Sequence, residues 1–229
     1  MTPYPTARKK EEWNVAKYGM VLNMDRCIGC YTCVVACKMA NGTRPGVDYN
    51  GVKKVEWGNY PDAHQRYQLT MCMHCEDAAC VKACPIQATY TTEEGVVVVD
   101  YDKCIGCGAC VAACPYGARH LVTEDEYSYD GLVQPYEEQT QERGVNLVEK
   151  CNFCIGRVKN GEAPMCTVHC PGQCRIFGDV EDPESDISKY IAAHGAVQVE
   201  GTRIWVVYPD EMPEEFKLKT PVEQAKSKA

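Results

Sequence analysis

The residues best suited to chemistry in this chain of 229 amino acids are its 17 cysteines. Sixteen of them form four groups, and every group opens with the spacing C-x2-C and closes with C-x3-C. Cysteine thiolates in repeated short spacings are typical ligands for zinc and for iron-sulfur clusters. In chain order the groups are Cys27, Cys30, Cys33 and Cys37; Cys72, Cys75, Cys80 and Cys84; Cys104, Cys107, Cys110 and Cys114; and Cys151, Cys154, Cys166 and Cys170.

The first and third groups have the spacing C-x2-C-x2-C-x3-C, which is the bacterial ferredoxin run. Three cysteines in such a tight loop can hold three corners of a [4Fe-4S] cube, and Gly29 and Gly106 let the backbone approach its sulfurs. In two-cluster ferredoxins the fourth cysteine ligates the other cluster and is usually followed by proline. Pro85, Pro115 and Pro171 follow the last cysteine of groups two to four, whereas the first group has a lysine there. The spacing therefore predicts iron-sulfur sites.

Two other uses of cysteine compete with this prediction. Zinc prefers closed four-coordinate sites built from two C-x2-C pairs, but it leaves the third cysteine of a ferredoxin run unused. A zinc-stabilised structural module is therefore an alternative to the iron-sulfur interpretation. Disulfide scaffolds serve small secreted domains whose cores are insufficient. An odd number of cysteines in a chain that is 45% hydrophobic does not fit that class.

The elements that must position these groups include an internal repeat. DRCIGCYTCVVAC (residues 25–37) and DKCIGCGACVAAC (residues 102–114) agree at nine of thirteen positions. The β-branched run at 95–101 predicts a strand leading into the third group, and residues 34–39 and 111–113 predict short helical turns. Asp182 and Pro183 predict the start of a helix, Gly195 its end, and residues 202–208 a closing strand.

Two polar stretches, residues 41–66 and 123–144, contain glycine and proline and predict inserted loops. Loops of this length in a compact domain usually serve a function or an interface. Aromatic side chains in or beside them are typical of interface cores, so we expect a partner to bind there. These aromatic residues are Tyr49, Trp57, Tyr60, Tyr67, Tyr127, Tyr129 and Tyr136.

Several longer motifs resemble one known family. They are CMHCEDAACVKACP (residues 72–85), VVVVDYDKCIGCGACVAACPYGAR (residues 96–119), and the CNFC, CPGQCRIFGD and DPES stretches between residues 151 and 185. From about residue 19 to residue 208 the chain resembles the four-cluster ferredoxin-like electron-transfer subunits of molybdopterin-dependent oxidoreductases. That family includes subunits of dimethyl sulfoxide, polysulfide, tetrathionate and respiratory arsenate reductases. The resemblance implies an α+β fold of two interlocked bacterial-ferredoxin-like modules with long loop insertions, holding four [4Fe-4S] clusters.

The resemblance also implies which cysteines share a cluster, because in the family the first group pairs with the fourth and the second with the third. Cluster 1 would take Cys27, Cys30, Cys33 and Cys170, and cluster 2 would take Cys37, Cys151, Cys154 and Cys166. Cluster 3 would take Cys72, Cys75, Cys80 and Cys114, and cluster 4 would take Cys84, Cys104, Cys107 and Cys110. Every expected ligand is a cysteine in this chain, so each cluster is expected to have four irons.

These pairings predict the division of the chain. Residues 19–42 and 145–182 are expected to form the first ferredoxin-like module, and residues 67–122 the second. Residues 43–66 and 123–144 are the inserted loops between them. Residues 183–229 are expected to supply a C-terminal helix, strand and tail.

Charge and hydropathy restrict the partners. With 24 Lys and Arg against 32 Asp and Glu, the net charge of −8 argues against a nucleic-acid partner. The longest aliphatic run, Val96–Val99, is too short for direct membrane insertion. The sequence shows neither a signal peptide nor a twin-arginine pair. We therefore expect a periplasmic location, or one at the outer face of the cytoplasmic membrane, only through export with a signal-bearing partner, and a cytoplasmic location otherwise.

The sequence has no phosphate loop, no dinucleotide fingerprint and no nucleophile-and-base pattern, so we expect a non-catalytic subunit. The resemblance implies electron transfer to or from a molybdopterin catalytic subunit. A membrane quinone-reactive subunit or a soluble electron carrier is a further candidate partner. An iron-sulfur wire of a hydrogenase or formate dehydrogenase complex is the alternative function.

Residues beside the ligands receive simpler interpretations. Cys174 lies outside every group and is expected to be a buried structural residue, as free cysteines usually are. His74 and His169 are expected to orient or pack, since their groups already have four cysteines. Cations near the ligands could raise the cluster potentials, and we expect about half of them to do so. These cations are Lys38, Lys82, Lys103, Arg119, Lys150 and Arg175.

Overall fold

The computed structural model describes residues 15–123 and 144–227, which form short helices and strands of an α+β fold. The helices are α1 (Thr32–Asn41), α2 (Ala79–Lys82), α3 (Ala109–Ala112), α4 (Ile155–Lys159), α5 (Met165–Val168), α6 (Asp186–His194) and α7 (Pro221–Lys226), with a 3-10 turn at Glu214–Phe216. The strands are β1 (Tyr18–Asn23), β2 (Asn50–Trp57), β3 (His64–Met71), β4 (Thr89–Thr91), β5 (Val97–Val99), β6 (His120–Val122), β7 (Leu147–Glu149), β8 (Arg175–Asp179), β9 (Val197–Gln198) and β10 (Ile204–Val207).

Strand pairing follows the cysteine groups. The strand that leaves each group pairs antiparallel with the strand that leads into the next: β2 with β3, β4 with β5, and β6 with β7. β8, which leaves the fourth group, pairs antiparallel with β1, which leads into the first. The strand pairs thus connect the four groups in a closed ring.

Helix packing connects the groups in a second way. α1, in the first group, packs against α5, in the fourth, and α2, in the second, packs against α3, in the third. The short helices at the third cysteines follow the sequence prediction, although α1 extends beyond residues 34–39 at both ends. In the described part of the chain, we find no helix with the length and apolar character needed to span a bilayer.

The largest sheet has the strand order β8-β1-β10-β9 and contains the centre of the core. β1 and β10 run parallel, with Met20 opposite Ile204 and Leu22 opposite Val206, and all four side chains are fully buried. β10 and β5 lie within the predicted strands 202–208 and 95–101. The C-terminal strand therefore lies in the same sheet as the strand that leads into the first cysteine group.

α6 begins later than the sequence prediction and ends where it was predicted to end. Its cap is Ser185, whose Oγ accepts a hydrogen bond of 3.2 Å from the backbone N–H of Ser188, so the helix starts at Asp186 instead of beside Asp182. Gly195 ends the helix in the left-handed conformation, with φ of 60°.

The prediction of an inserted loop at residues 43–66 is wrong for most of that stretch. β2 and β3 form a long antiparallel hairpin there, with Val52 paired to Leu69. Val52, Val55 and Leu69 are buried in the main core, while Lys53 and Lys54 are exposed and make the segment polar on average. Of the second predicted loop, residues 124–143 lie outside the described residues, and with them Tyr127, Tyr129 and Tyr136.

Candidate metal centres

Three cavities are each lined by four of the grouped cysteines, drawn from two different groups, and Cys174 also lines one of the three. Their volumes, which include space open to solvent, are about 290, 320 and 300 Å³. Each cavity contains three cysteines of one group and one cysteine of another. In the order of those volumes, the sets are Cys84, Cys104, Cys107 and Cys110; Cys27, Cys30, Cys33 and Cys170; and Cys37, Cys151, Cys154 and Cys166.

The remaining four cysteines lie around Cys75. Burial raises the pKa of the Cys75 thiol to about 12, and the neighbouring thiols of Cys72, Cys80 and Cys114 add to this effect. These four cysteines are therefore close enough to interact electrostatically. The structure brings the sixteen cysteines together in four sets of four. That each set ligates one cluster stays a prediction.

A left-handed residue precedes the second cysteine in all four groups. At Gly29 and Gly106 the φ angles are +69° and +65°, and the Gly29 N–H donates a hydrogen bond to Cys27 Sγ. A Cβ atom at Gly29 would lie 2.3 Å from the Tyr67 ring, so glycine is required there by packing as well as by conformation. His74 and Phe153 occupy the same position in groups two and four, with φ of 45° and 55°.

His74 and Phe153 join the second group to the fourth. Their rings stack with centroids 3.7 Å apart, and both side chains are buried. His74 Nδ1 accepts a hydrogen bond of 3.1 Å from the Val97 N–H, which places the ring proton on Nε2. Burial, together with the charges of Lys150 and Arg119, holds the pKa of His74 well below its ordinary value. His74 is therefore a neutral packing residue. His169, by contrast, is exposed and near the Met165 carbonyl.

Comparison with known proteins decides the family. The family described as "4Fe-4S binding domain" matches residues 97–120, a second of that description matches residues 24–40 and 69–93, and a "4Fe-4S dicluster domain" matches residues 123–180. A putative dimethyl sulfoxide reductase iron-sulfur subunit of Halobacterium salinarum is 42% identical over 201 residues, which cover 81% of this chain and 74% of the relative. The chain belongs to this family of ferredoxin-like iron-sulfur subunits.

Other relatives of the iron-sulfur subunit serve different reductases. A selenate reductase subunit of Mesobacillus selenatarsenatis is 38% identical over 197 residues, 80% of this chain and 68% of the relative. The arsenate respiratory reductase iron-sulfur subunit of Shewanella sp. is 33% identical over 211 residues, 80% of this chain and 90% of the relative. The family matches confirm [4Fe-4S] clusters as the cofactor and argue against the zinc module.

The six cations near the ligands fall into two classes in the iron-sulfur subunit. Lys82 and Lys103 are exposed and form ion pairs with Asp77 and Asp100, and Lys38 Nζ lies 3.2 Å from Asp48 Oδ1. The other three, by contrast, are at most 3% exposed. These buried cations are Arg119, Lys150 and Arg175.

The buried residues around the cysteines fit an iron-sulfur cluster. Within residues 15–123 and 144–227, three buried nitrogens near the cysteine sets have no hydrogen-bond partner: His74 Nε2, Arg119 Nη2 and Arg175 Nε. Buried donors without partners are rare because they lose hydration without compensation. Arg119 already contacts the Cys80 thiol, and Arg175 contacts that of Cys33. Cluster sulfides beside these thiols would supply the missing acceptors.

Cys174 of the iron-sulfur subunit contacts two ligand candidates at once. It is buried, as expected, and its side chain lines the cavity that contains Cys27 and Cys170. Its thiol, which has a single proton to donate, lies beside both of these sulfurs and lowers their pKa values. The Cys174 N–H also donates to Cys170 Sγ at 3.2 Å. Spacing alone did not indicate these contacts.

Proposed function

We propose that this iron-sulfur subunit relays single electrons through four [4Fe-4S] clusters to or from a molybdopterin-containing catalytic subunit. The observation that carries the proposal is the arrangement of sixteen cysteines in four sets of four, in a chain whose relatives are named as iron-sulfur subunits of reductases. The clusters supply one-electron oxidation and reduction. The chain itself is non-catalytic, and the substrate chemistry belongs to the partner.

Each set of four cysteines is proposed to ligate one cluster. Cluster 1 takes the set with Cys170 (set 1), cluster 2 the set with Cys37 (set 2), cluster 3 the set with Cys114 (set 3), and cluster 4 the set with Cys84 (set 4). In every case the fourth ligand comes from a different group from the first three, so the clusters of a module interlock. The three cavities and the cysteines around Cys75 support this assignment.

The clusters are proposed to form one line, in the order 1, 2, 3, 4. Burial raises the pKa of the Cys166 thiol of set 2 to about 11, and the neighbouring Cys33 of set 1 contributes to that rise. Burial and then Cys72 of set 3 raise the pKa of Cys151 of set 2. Arg119 interacts with Cys80 of set 3 and with Cys110 of set 4. Adjacent sets in this order thus have interacting side chains.

The chain's own residues hold, insulate and expose the clusters. Met20, Met71 and Phe153 are buried beside set 2, where they exclude water. At the two ends, Cys30 of set 1 and Cys107 of set 4 are exposed, each beside an exposed isoleucine, Ile28 and Ile105. The end clusters are therefore the proposed points of electron entry and exit.

The proposed partner and location follow from the family. The relatives include subunits of dimethyl sulfoxide, selenate and arsenate reductases, and this favours a reductase over a hydrogenase or formate dehydrogenase complex. A membrane quinone-reactive subunit or a soluble carrier would exchange electrons at the other end. The complex is periplasmic if its catalytic subunit has an export signal and cytoplasmic if it has none.

Anaerobic purification of the complex through this chain tests the function. We expect about sixteen iron and sixteen acid-labile sulfide per chain, because four cubanes each contain four of both. Molybdenum and pterin should co-purify in the catalytic partner. Nickel in place of molybdenum would favour the hydrogenase alternative, and zinc in place of iron would contradict the relay.

A pair of ligand variants tests the cluster assignment. Cys114→Ser should perturb cluster 3 and leave cluster 4 intact, because Cys114 interacts with Cys75 and does not line the cavity of set 4. Cys110→Ser, only four positions earlier in the sequence, should perturb cluster 4 and leave cluster 3 intact. Electron paramagnetic resonance of both reduced variants distinguishes these outcomes, and the reverse pattern would contradict the interlocked assignment.

A further inference from the structure

Three buried cations in the described part of the chain have no carboxylate within ion-pairing distance. They are Arg119, Lys150 and Arg175, which are 3%, 1% and 2% exposed. Arg44 shows the usual arrangement for comparison: it is buried as well, and its guanidinium lies 2.8 Å from the Glu149 carboxylate. A buried cation without an anion is costly. All three interact with cysteines of the sets: Arg119 with Cys80, Lys150 with the carbonyl of Cys151, and Arg175 with Cys33.

Arg175 lies between sets 1 and 2. Its guanidinium donates to the Cys33 thiol of set 1 and, from Nη2 at 3.4 Å, to Asn50 Oδ1. The Asn50 amide donates to the Cys33 carbonyl at 3.3 Å, and the same side chain lines the cavity of set 2, where it interacts with Cys37. One cation therefore contacts set 1 directly and set 2 through a single amide.

Arg119 has the equivalent place between sets 3 and 4. Its guanidinium donates to the Cys80 thiol of set 3 and, at 3.2 Å, to Thr89 Oγ1. The Thr89 N–H donates to Cys84 Sγ of set 4 at 3.4 Å. Both arginines follow the last cysteine of their group by five positions, so the two modules have the same arrangement.

Lys150 lies at the junction of sets 2 and 3. Its ammonium donates hydrogen bonds to the carbonyls of Cys151, a member of set 2, and of Val97. The Val97 N–H donates to His74, which precedes Cys75 of set 3. Lys150 therefore contacts set 2 through the Cys151 carbonyl, and reaches set 3 through the Val97 peptide and His74.

We propose that these three cations set the potentials of the relay in neighbouring pairs, one buried positive charge in each gap between successive clusters. The proposal rests on the relay and the ligand sets proposed above. In a poorly hydrated interior a positive charge stabilises an added electron on either side of it, so each cation raises the potential of both clusters that it separates. Lys150 extends this effect across the junction between the modules.

The test is a potentiometric titration of the purified holoprotein, followed by electron paramagnetic resonance. In Lys150→Met we expect the signals of clusters 2 and 3 to move to lower potential while those of clusters 1 and 4 stay. Lys150→Arg keeps the charge and should keep all four potentials. The matched control is Lys103→Met, which removes an exposed lysine that is paired with Asp100 and directly precedes Cys104. This control should shift nothing.

Four unchanged potentials in a Lys150→Met protein with full iron would overturn the proposal, and so would an equal shift of all four. If Lys150→Met loses iron, the titration is repeated with Lys150→Gln and Arg119→Gln. Arg119→Gln should lower clusters 3 and 4 together and leave clusters 1 and 2 unchanged, and the absence of such a paired shift counts equally against the proposal.

Cys154→Ser and Cys75→Ser identify the signals of clusters 2 and 3 independently. If these two variants remove other signals, the ligand assignment fails. The cation proposal fails separately if clusters 2 and 3 are correctly identified but their potentials do not shift together in Lys150→Met.

Discussion

Gly106 lies directly against the backbone carbonyl of Asn146, and a Cβ atom built on Gly106 would come within 2.1 Å of the Asn146 oxygen. This contact joins the loop of the third cysteine group to the chain just before β7. Gly106→Ala should therefore displace the loop and reduce the iron bound by set 4. The positive φ alone costs a non-glycine residue about 1–2 kcal/mol, and relief of the clash adds to that loss of folding stability.

Gly156→Ala is the matched control for this prediction. Gly156 lies in α4, and among the described residues no atom outside that helix would lie within 4 Å of an added methyl group, so alanine should be tolerated. We expect a gain of about 0.5–1 kcal/mol from the better helix propensity. Iron analysis and urea unfolding of both variants provide the measurement. Equal iron content and stability in the two variants would show that the Asn146 contact is unimportant.

The buried ion pair between Arg44 and Glu149 ties the segment before the β2–β3 hairpin to β7. Tyr49 strengthens it by donating a hydrogen bond of 2.9 Å from its hydroxyl to Glu149 Oε2. Arg44→Met leaves the carboxylate buried without its cation, and we expect a loss of about 3–5 kcal/mol in the free energy of unfolding. Lys54→Met breaks an exposed pair with Glu56 and should cost at most about 1 kcal/mol. Similar urea midpoints for both variants would contradict this.

Cys174 offers a prediction about hydrogen bonding to cluster 1. Cys174→Ala should retain all four clusters, because Cys174 lies outside every cysteine group. It should lower the potential of cluster 1 alone, since a thiol donor to Cys27 and Cys170 is lost. Cys174→Ser, which still has a hydroxyl donor, should recover part of the potential in a redox titration. Loss of a cluster in the alanine variant would mean that Cys174 is itself a ligand.

Tyr60 is the aromatic residue of the hairpin best placed to meet a partner. It is 95% exposed, whereas Tyr49 is 3% exposed and therefore unsuited to the interface role predicted for it. Tyr60→Ser should keep the iron content and weaken association with the catalytic subunit about tenfold, as loss of an aromatic interface contact commonly does. Val222→Ser, at a residue 65% exposed on α7, is the control. Unchanged association in the Tyr60 variant places the interface elsewhere.

Local patterns in the sequence predicted the cysteine loops and several elements. β5 and β10 could be predicted because each is a short β-branched run bounded by turn residues. The β2–β3 hairpin was missed because the exposed Lys53, Lys54 and Glu56 interrupt the alternation of its buried residues and make the segment polar. The alternation of Tyr67, Leu69 and Met71 in β3 was the available signal for a strand.

The surroundings of the cysteines could not be predicted in the same way, because they depend on segments that are distant in sequence. Arg175 contacts Asn50, and Lys150 contacts Val97, so spacing near a ligand does not distinguish these cations from the exposed Lys103. One feature of the sequence could have indicated the role of His74 and Phe153. Each takes the place that glycine has before the second cysteine of the repeat.

The helix and strand partners described above also bear on how the chain matures during its synthesis. α2, β4, β5 and α3 all lie within residues 79–112 and can assemble as soon as that segment leaves the ribosome. α1, by contrast, can pack only after α5 at residues 165–168 has been synthesised. Likewise, Met20 in β1 can pair only after Ile204 in β10 has been synthesised. The segment of β1 and α1 is therefore translated before residues 79–112 but completed after them. Until then Cys27, Cys30 and Cys33 remain open to oxidation, so a nascent chain gains most from protection at its N-terminal cysteines.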